Sequence, residues 1–346
     1  RDIKRILTAT ILSHQINLIN MRILSYIGLL LGLVIFTLLI IWQGISDILH
    51  LLLSSGWFLL LLPVVWSPSL LAAVVSWRLI YPRSRIPPFT HLLAAQWMGR
   101  AINTLLPVAT IGGEVAKARL LNLWGAKGTD ASASVLVDKT VQALALIPWG
   151  FIGAILLVYL AIDDELAKAV LIALFLLGLG ILGFIMVQRA GMFGYMAKIF
   201  NLIISSEKWG GITDNAHSVD QTVRELYGDH RHFAWSVLWR TLGLVLQTSE
   251  VWLACYLLGH PISLAEALML KSLTSVISDI AFFIPNAYGI QEGGYVMLGT
   301  LLGLTPDFSL AVSLATRIRE LMIDLPGILV WQHIEGKLLL NRHRGQ

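Results

Sequence analysis

Residues Pro285 to Gly294 read PNAYGIQEGG and lie between two long apolar runs. A proline removes a backbone donor and glycines disfavour helix, so this stretch cannot continue a regular membrane helix. In lipid, interrupted backbone survives only where protein buries it or where it lines a watery cavity. An ionisable residue such as Glu292 at such a break marks a functional site by default. If the chain is a membrane protein, these ten residues make it one with a helix broken inside the bilayer.

Composition supplies that condition. The 346 residues are 56% hydrophobic and only 13% charged, with a mean hydropathy of +0.75. A soluble domain carries about 25% charged residues, and several apolar runs here reach the roughly 20 residues needed to cross a bilayer. The class expected is an all-α polytopic membrane protein. The net charge of +4, from 25 basic and 21 acidic residues, then bears on loop orientation, and no nucleic-acid partner is expected. The single cysteine, Cys255, excludes an internal disulfide or a thiolate cluster. No Walker-type glycine loop, H-E-x-x-H pattern or cluster of metal ligands is present in the sequence. No cofactor, no metal and no enzymatic activity are therefore expected.

Taken in order, residues 1–22 form a basic amphipathic lead-in that favours a cytoplasmic N-terminus. Residues 23–346 then make one transmembrane domain of about six full spans and two re-entrant helical hairpins. The spans are expected near 23–42, 57–81, 134–160, 167–187, 235–258 and 308–331. The first hairpin covers residues 88–122 and breaks at Pro107, with Lys117, Arg119 and Lys127 returning to the cytoplasm; the second covers 264–302. A cytoplasmic segment, 188–234, joins the halves, and Val219, Val223, Leu226 and Tyr227 recur in it at helical spacing. That pattern predicts a short helix on the cytoplasmic surface, a solvated linker rather than a binding element. The basic tail with Lys337, Arg342 and Arg344 places the C-terminus in the cytoplasm as well.

The two hairpins are related by one ungapped offset. Pro107 precedes Glu114 as Pro285 precedes Glu292, and 285 − 107 = 292 − 114 = 178. The same shift aligns Trp57 with Trp235, Lys139 with Arg317, Gln142 with Glu320 and Pro148 with Pro326. Internal symmetry of this kind marks transporter-type repeats. Trp57 opens its span outside and Trp235 opens its span inside, so the repeats, at about 50–160 and 228–338, are expected to be inverted. The hairpin tips then meet near the midplane, where such proteins place substrate. Gly112, Gly113 and Gly289 let a half-helix start there, and its positive end favours an anionic group such as phosphate.

Charges inside the spans narrow the site further. Arg317, Glu320 and Asp324 share one helix face, while Arg319 points elsewhere, toward the interface; Lys139 and Gln142 share a face that excludes Asp138. Lys139 and Arg317 are expected to bind lipid phosphate, with Glu114 and Glu292 pairing with them or carrying a coupling proton. The competing assignment makes Arg317–Glu320 a structural pair and the two glutamates helix caps. For Arg100 and Asn103 the structural role, holding the hairpin backbone, is favoured. Arg240, Glu250 and Asp279 are secondary candidates.

P-x-x-x-x-G-G-E followed by A-x-A-R, then S-x-L-V-D-K and P-N-A-x-G-x-Q-E-G-G, resemble the lysylphosphatidylglycerol synthase transmembrane, or flippase-domain, family over about residues 20–340. The PNAYGIQEGG form is most similar to its hopanoid-biosynthesis-associated branch. The resemblance implies a multi-pass protein of the bacterial inner membrane that moves a lipid between leaflets or helps to deliver it. Carried over to this chain, the motif positions are Pro107, Gly112, Gly113, Glu114, Arg119, Asp138 and Lys139, then Pro285, Asn286, Gly289, Glu292, Arg317 and Glu320. The family's soluble aminoacyl-transferase domain has no counterpart in these residues, so lipid lysylation is not expected of them. The function expected is transport of an anionic phospholipid or hopanoid-type lipid, with proton or ion coupling. The alternatives are a membrane-embedded head-group transferase on a polyprenyl or hopanoid lipid, or an accessory subunit of a lipid-synthesis complex. A homo-oligomer or a lipid-synthesis enzyme is the expected protein partner.

Overall fold

The computed structural model describes residues 56–106, 112–160, 164–192, 210–280, 285–287 and 289–344. The lead-in at 1–22, the span expected at 23–42 and the break residue Pro107 lie outside the described residues. Every described element is helical. The α-helices are α1 (Leu61–Leu79), α2 (Phe89–Leu105), α3 (Gly112–Leu123), α4 (Gly128–Tyr159), α5 (Asp164–Arg189) and α6 (Gly210–Gly228). They continue as α7 (His230–Leu246), α8 (Thr248–Leu257), α9 (Leu264–Ile280), α10 (Ile290–Leu301) and α11 (Pro306–Arg344).

Three of the described helices are long and apolar enough to cross a membrane: Gly56–Leu79, Gly128–Tyr159 and Lys168–Arg189. These coincide with the expected second, third and fourth spans. The expected fifth span is not one helix, because a turn at Gln247 separates α7 from α8. The sixth lies within α11, where Arg317, Arg319, Glu320 and Asp324 interrupt its apolar run. Helix α5 shows most plainly what a lipid-facing surface looks like: Ile172, Phe175, Leu176 and Met186 are all exposed in the isolated chain.

Both breaks appear where proline and glycine were placed. Helix α2 ends at Leu105 and α3 starts at Gly112; α9 ends at Ile280 and α10 starts at Ile290. Between α9 and α10, Pro285–Ala287 makes a single 3-10 turn in which Asn286 (φ 49°) and Ala287 (φ 47°) are left-handed. Asparagine tolerates that conformation through its short polar side chain, whereas alanine pays a steric penalty of about 1 kcal/mol. Helix boundaries also recur at the spacing found in the sequence, since 290 − 112 = 301 − 123 = 306 − 128 = 257 − 79 = 178.

Packing follows the same pairing. Helix α2 packs on α3 and on α11, while α9 packs on α10 and on α4; α1 lies against α7. Small residues set these close approaches, as membrane helix interfaces require. A Cβ on Gly113 would stand 2.0 Å from the carbonyl oxygen of Gly99, which brings α3 into backbone contact with α2. Across α1 and α7, Ser76 Oγ donates to the carbonyl of Ser236 at 2.8 Å and Ser236 Oγ donates back to that of Ser76 at 2.9 Å.

Among the described residues, two of the apolar clusters are large. One joins Trp77, Leu92, Leu120, Val137 and Val223; the other joins Leu59, Leu157, Val251, Leu270, Tyr295 and Val312. The first core corrects the expectation for α6. Val219, Val223, Leu226 and Tyr227 are buried in it, and Tyr227 OH donates to Gln188 Oε1 at 2.5 Å. The apolar stripe of α6 therefore docks on α4 and α5, and the helix is part of the fold rather than a solvated linker. A stripe of that width reads the same whether its partner is protein or lipid.

Candidate functional site

Among the described residues, the charges expected in the hairpins and spans gather into two networks. In the first, Glu114 lies in the opening turn of α3, directly after the glycine pair, where an acid suits the helix N-terminus. Its Oε2 is 2.9 Å from Lys117 Nζ and its Oε1 is 3.5 Å from Lys139 Nζ. Asn103 on α2 holds the start of α3 in place, accepting from the Gly113 N–H at 2.8 Å and donating to Glu114 at 3.4 Å. Asp138, fully buried, accepts from Arg240 on α7 and from Gln142 Nε2 at 3.0 Å, and lies 3.7 Å from Lys117 Nζ. Lys139 donates to Gln142 Oε1 at 3.4 Å.

The second network is built on the PNAYGIQEGG stretch. Glu292 reaches back one turn to accept from the Gly289 N–H at 2.7 Å, which caps α10, and its other oxygen accepts from Arg317 Nε at 2.9 Å. The competing roles of cap and charge partner are thus both filled by one carboxylate. Arg317 also donates from Nη1 to Glu320 at 3.0 Å and from Nη2 to the Asn286 carbonyl at 3.2 Å. Asn286 Nδ2 is 3.3 Å from Glu320, so the strained turn is tied to α11 from both sides.

From there the network extends inward. Arg100 of α2 pairs with Asp324 at 3.1 Å and lies 3.9 Å from Glu320. Arg319 holds Glu250 of α8 through two hydrogen bonds, at 2.6 and 3.0 Å, and Lys271 of α9 lies 3.8 Å from the same carboxylate. The guanidinium groups of Arg100 and Arg319 both lie over the Trp66 ring, at 4.3 and 4.7 Å. That indole joins α1 to the network by cation–π contact.

The expected site residues are therefore distributed unevenly. Glu114, Asp138 and Lys139 meet in one network, and Glu292, Arg317, Glu320 and Asn286 meet in the other. Arg119 stands apart: its side chain is exposed and pairs with Glu335 at 2.6 Å, outside both networks. Lys117, placed by sequence among the cytoplasmic loop charges, is instead buried between Glu114 and Asp138. Its i, i+3 spacing from Glu114 carried that information. Arg319 does not face the interface, because Glu250 draws it inward. Asp138 joins the face from which it was excluded, since an i, i+4 contact with Gln142 is as close as an i, i+3 one. Arg100 serves α11 rather than the hairpin backbone. Lys271 was passed over, although a lone lysine in an apolar run is itself a signal.

The pairs Glu114–Lys139 and Glu292–Arg317 stand at the 178-residue spacing, each joining the first turn of a post-break helix to the long helix that follows. Their settings differ. The Lys139 side chain is 41% exposed, whereas that of Arg317 is 5% exposed. Asp279, near the end of α9, is also exposed. A comparison with known families matches residues 29–327 to the one described as lysylphosphatidylglycerol synthase TM region. No curated protein and no solved structure matches the chain.

Proposed function

The chain belongs to the lysylphosphatidylglycerol synthase transmembrane-region family, and on that premise we propose that it is a lipid transporter of the bacterial inner membrane. In this proposal it moves a lipid with an anionic head, a phospholipid or a hopanoid-type lipid, between or out of the leaflets. Six spans and two re-entrant hairpins form an inverted repeat, both termini are cytoplasmic, and the head group is received near the midplane beside Glu114 and Lys139. One observation carries the proposal: an acid–base pair occurs twice at the 178-residue spacing, each time at the first turn of a helix that starts anew after the preceding one has ended. Broken helices whose N-terminal ends meet charged groups are how secondary transporters build substrate sites in the bilayer interior. Structure alone does not demand so many buried charges, because each costs about 2.5–3.5 kcal/mol at a helix centre on insertion scales.

The test is leaflet exchange in proteoliposomes containing fluorescent phospholipid, read by quenching with dithionite. Wild-type protein is expected to accelerate exchange over protein-free vesicles, and folded Glu114→Gln to lose most of that acceleration. No acceleration with phospholipid or hopanoid probes would set the transporter proposal aside in favour of a head-group transferase or an accessory subunit. Chemical conversion of the probe lipid would identify the transferase.

A further inference from the structure

In the network around α11, four cations (Arg100, Lys271, Arg317 and Arg319) meet four carboxylates (Glu250, Glu292, Glu320 and Asp324), and with all eight ionised it is neutral. Three of the cations are guanidiniums, which do not give up a proton in proteins. Each is also hydrogen-bonded to a carboxylate: Arg100 to Asp324, Arg317 to Glu292 and Glu320, and Arg319 to Glu250. Lys271 of α9 differs on both counts. Its side chain is only 11% exposed, its ammonium makes no hydrogen bond among the described residues, and its Nζ lies 3.8 Å from Glu250 Oε2. Both Glu250 oxygens are already held by Arg319, at 2.6 and 3.0 Å. A proton can therefore leave Lys271 without unpairing its neighbour, and an amine is the one cation of the four that can part with it.

The face of α9 that carries Lys271 also carries Thr274 and Ser278, at i, i+3 and i+7. A helical hydroxyl can satisfy itself on a carbonyl one turn back, as Ser272 does on Met269 at 3.0 Å and Ser275 on Lys271 at 2.7 Å. Thr274 and Ser278 do not: among the described residues both hydroxyls are buried without a partner. Gly294 of α10 keeps the space beside Thr274 clear, since a Cβ there would stand 3.3 Å from its Cγ2 and 3.8 Å from its Oγ1. The three groups rise about 4.5 and 6 Å along the helix, gaps that one bridging water spans, and unpaired buried polar groups are where such waters sit. The row ends beside Asp279, which is exposed. The other charges near Lys271 are fixed. Besides Glu250, these are Arg319 and Glu320 of α11 and Arg100 of α2. On the remaining elements packed against α9, Glu292 of α10 pairs with Arg317, Lys139 of α4 with Glu114, and Asp138 of α4 with Arg240 of α7. Tyr295 of α10 is buried as well, and Glu266 and Asp279 lie at the two ends of α9 itself.

Resting on the transporter proposal, we infer that Lys271 carries the proton coupled to lipid movement and that waters along Thr274 and Ser278 connect it to the end of α9. The ammonium gives its proton to a water of that row and is left as the neutral amine; the reverse step restores it. The protonated network is neutral, and the deprotonated one carries a single negative charge. An anionic head group entering the same low-dielectric interior favours the protonated form, so lipid and proton move in the same direction. The coupling proton is then carried by neither Glu114 nor Glu292.

Potentiometric titration of the full chain in detergent tests the proton site without lipid transport. Between about pH 6 and 9, wild type is expected to release about one proton more than Lys271→Arg or Lys271→Met, neither of which can release one. No difference would overturn the inference whether or not lipid moves. In proteoliposomes carrying fluorescent phosphatidylglycerol, a gradient of one pH unit is expected to enrich the probe up to about tenfold in the leaflet facing the more alkaline side, the ceiling for one proton per lipid. Lys271→Arg is expected to lose that enrichment. Its retention in the variant, or exchange by wild type with no enrichment, would also overturn the inference. Thr274→Val/Ser278→Ala removes only unpartnered hydroxyls, so its melting midpoint is expected to hold while the enrichment forms about tenfold more slowly, the equivalent of one lost hydrogen bond. An unchanged rate would overturn the path along α9. Release of the extra proton by a wild type that exchanges no lipid would remove the transporter, and the coupling with it, while leaving Lys271 a proton site.

Discussion

Glu292→Gln is the perturbation whose consequence follows most directly from the geometry. The substitution keeps a carbonyl oxygen for the Gly289 N–H, now 2.7 Å away, so the cap of α10 survives. It removes the charge facing Arg317 Nε at 2.9 Å. Arg317 then relies on Glu320, which Arg100 at 3.9 Å and Arg319 at 3.8 Å already share. The balanced network of eight charges becomes one of net positive charge, held in protein with the Arg317 side chain only 5% exposed. Breaking a buried pair by removing one partner costs about 3–5 kcal/mol. The retained Glu320 contact and the surviving cap place Glu292→Gln at the lower end, about 3 kcal/mol. In thermal unfolding of the detergent-solubilised protein this corresponds to a midpoint lower by about 4 °C. The double variant Glu292→Gln/Arg317→Gln is expected to recover part of the loss, because no uncompensated charge remains and the two sites are coupled. An unchanged midpoint for Glu292→Gln, or additive losses in the double variant, would refute the description of this network as a closed, mutually neutralising unit.

Three further outcomes follow from particular contacts. Gly113→Ala puts a Cβ 2.0 Å from the Gly99 carbonyl oxygen and 2.6 Å from Asn103 Oδ1, so α3 must move off α2. The strain costs about 1–3 kcal/mol or more and shifts Glu114 from Lys139, which is read as a lower melting midpoint together with slower lipid exchange. Ala287→Gly relieves the left-handed alanine at φ 47° and is expected to raise stability by up to about 1 kcal/mol in the same unfolding measurement. Outside the spans, Asp229 accepts from the His232 ring at 2.9 Å and from its backbone N–H at 3.3 Å, capping α7. The hydrogen bond from the His232 side chain, then that from its backbone, holds the Asp229 carboxyl below its usual range. A depressed carboxyl stabilises the fold above its unfolded pKa, near 3.9, and that contribution is lost as pH falls through the lower folded value. Asp229→Ala is accordingly expected to cost about 0.5–1 kcal/mol at pH 7 and progressively less as the pH is lowered below about 4, from unfolding midpoints compared across pH.

The sequence by itself determined the class of fold and the positions at which it breaks. Apolar length and scarce charge require lipid, and proline with glycine at 285–294 requires an interruption, because both are local properties of the backbone and its solvent. The 178-residue spacing was equally legible, since a shift along the chain needs no coordinates, and it paired Glu114 with Glu292 and Lys139 with Arg317. Helical spacing found the faces of Arg317, Glu320 and Asp324 as well.

Only the tertiary structure decided which charges neutralise one another. The contacts of Glu250 with Arg319, Asp138 with Arg240 and Arg100 with Asp324 join residues far apart in sequence. No periodicity encodes such pairs, because they depend on which helices pack together. The same holds for α6, whose amphipathic stripe left its partner open until Val223 and Tyr227 were found in the protein core. It holds most of all for the inequality of the two halves. Lys139 and Arg317 occupy equivalent places in the repeat, yet one is 41% exposed beside a carboxylate shared with Lys117 and the other is 5% exposed between two carboxylates. A repeat in sequence sets equivalent positions; the neighbours brought in by packing determine whether each remains a binding group or becomes part of the scaffold.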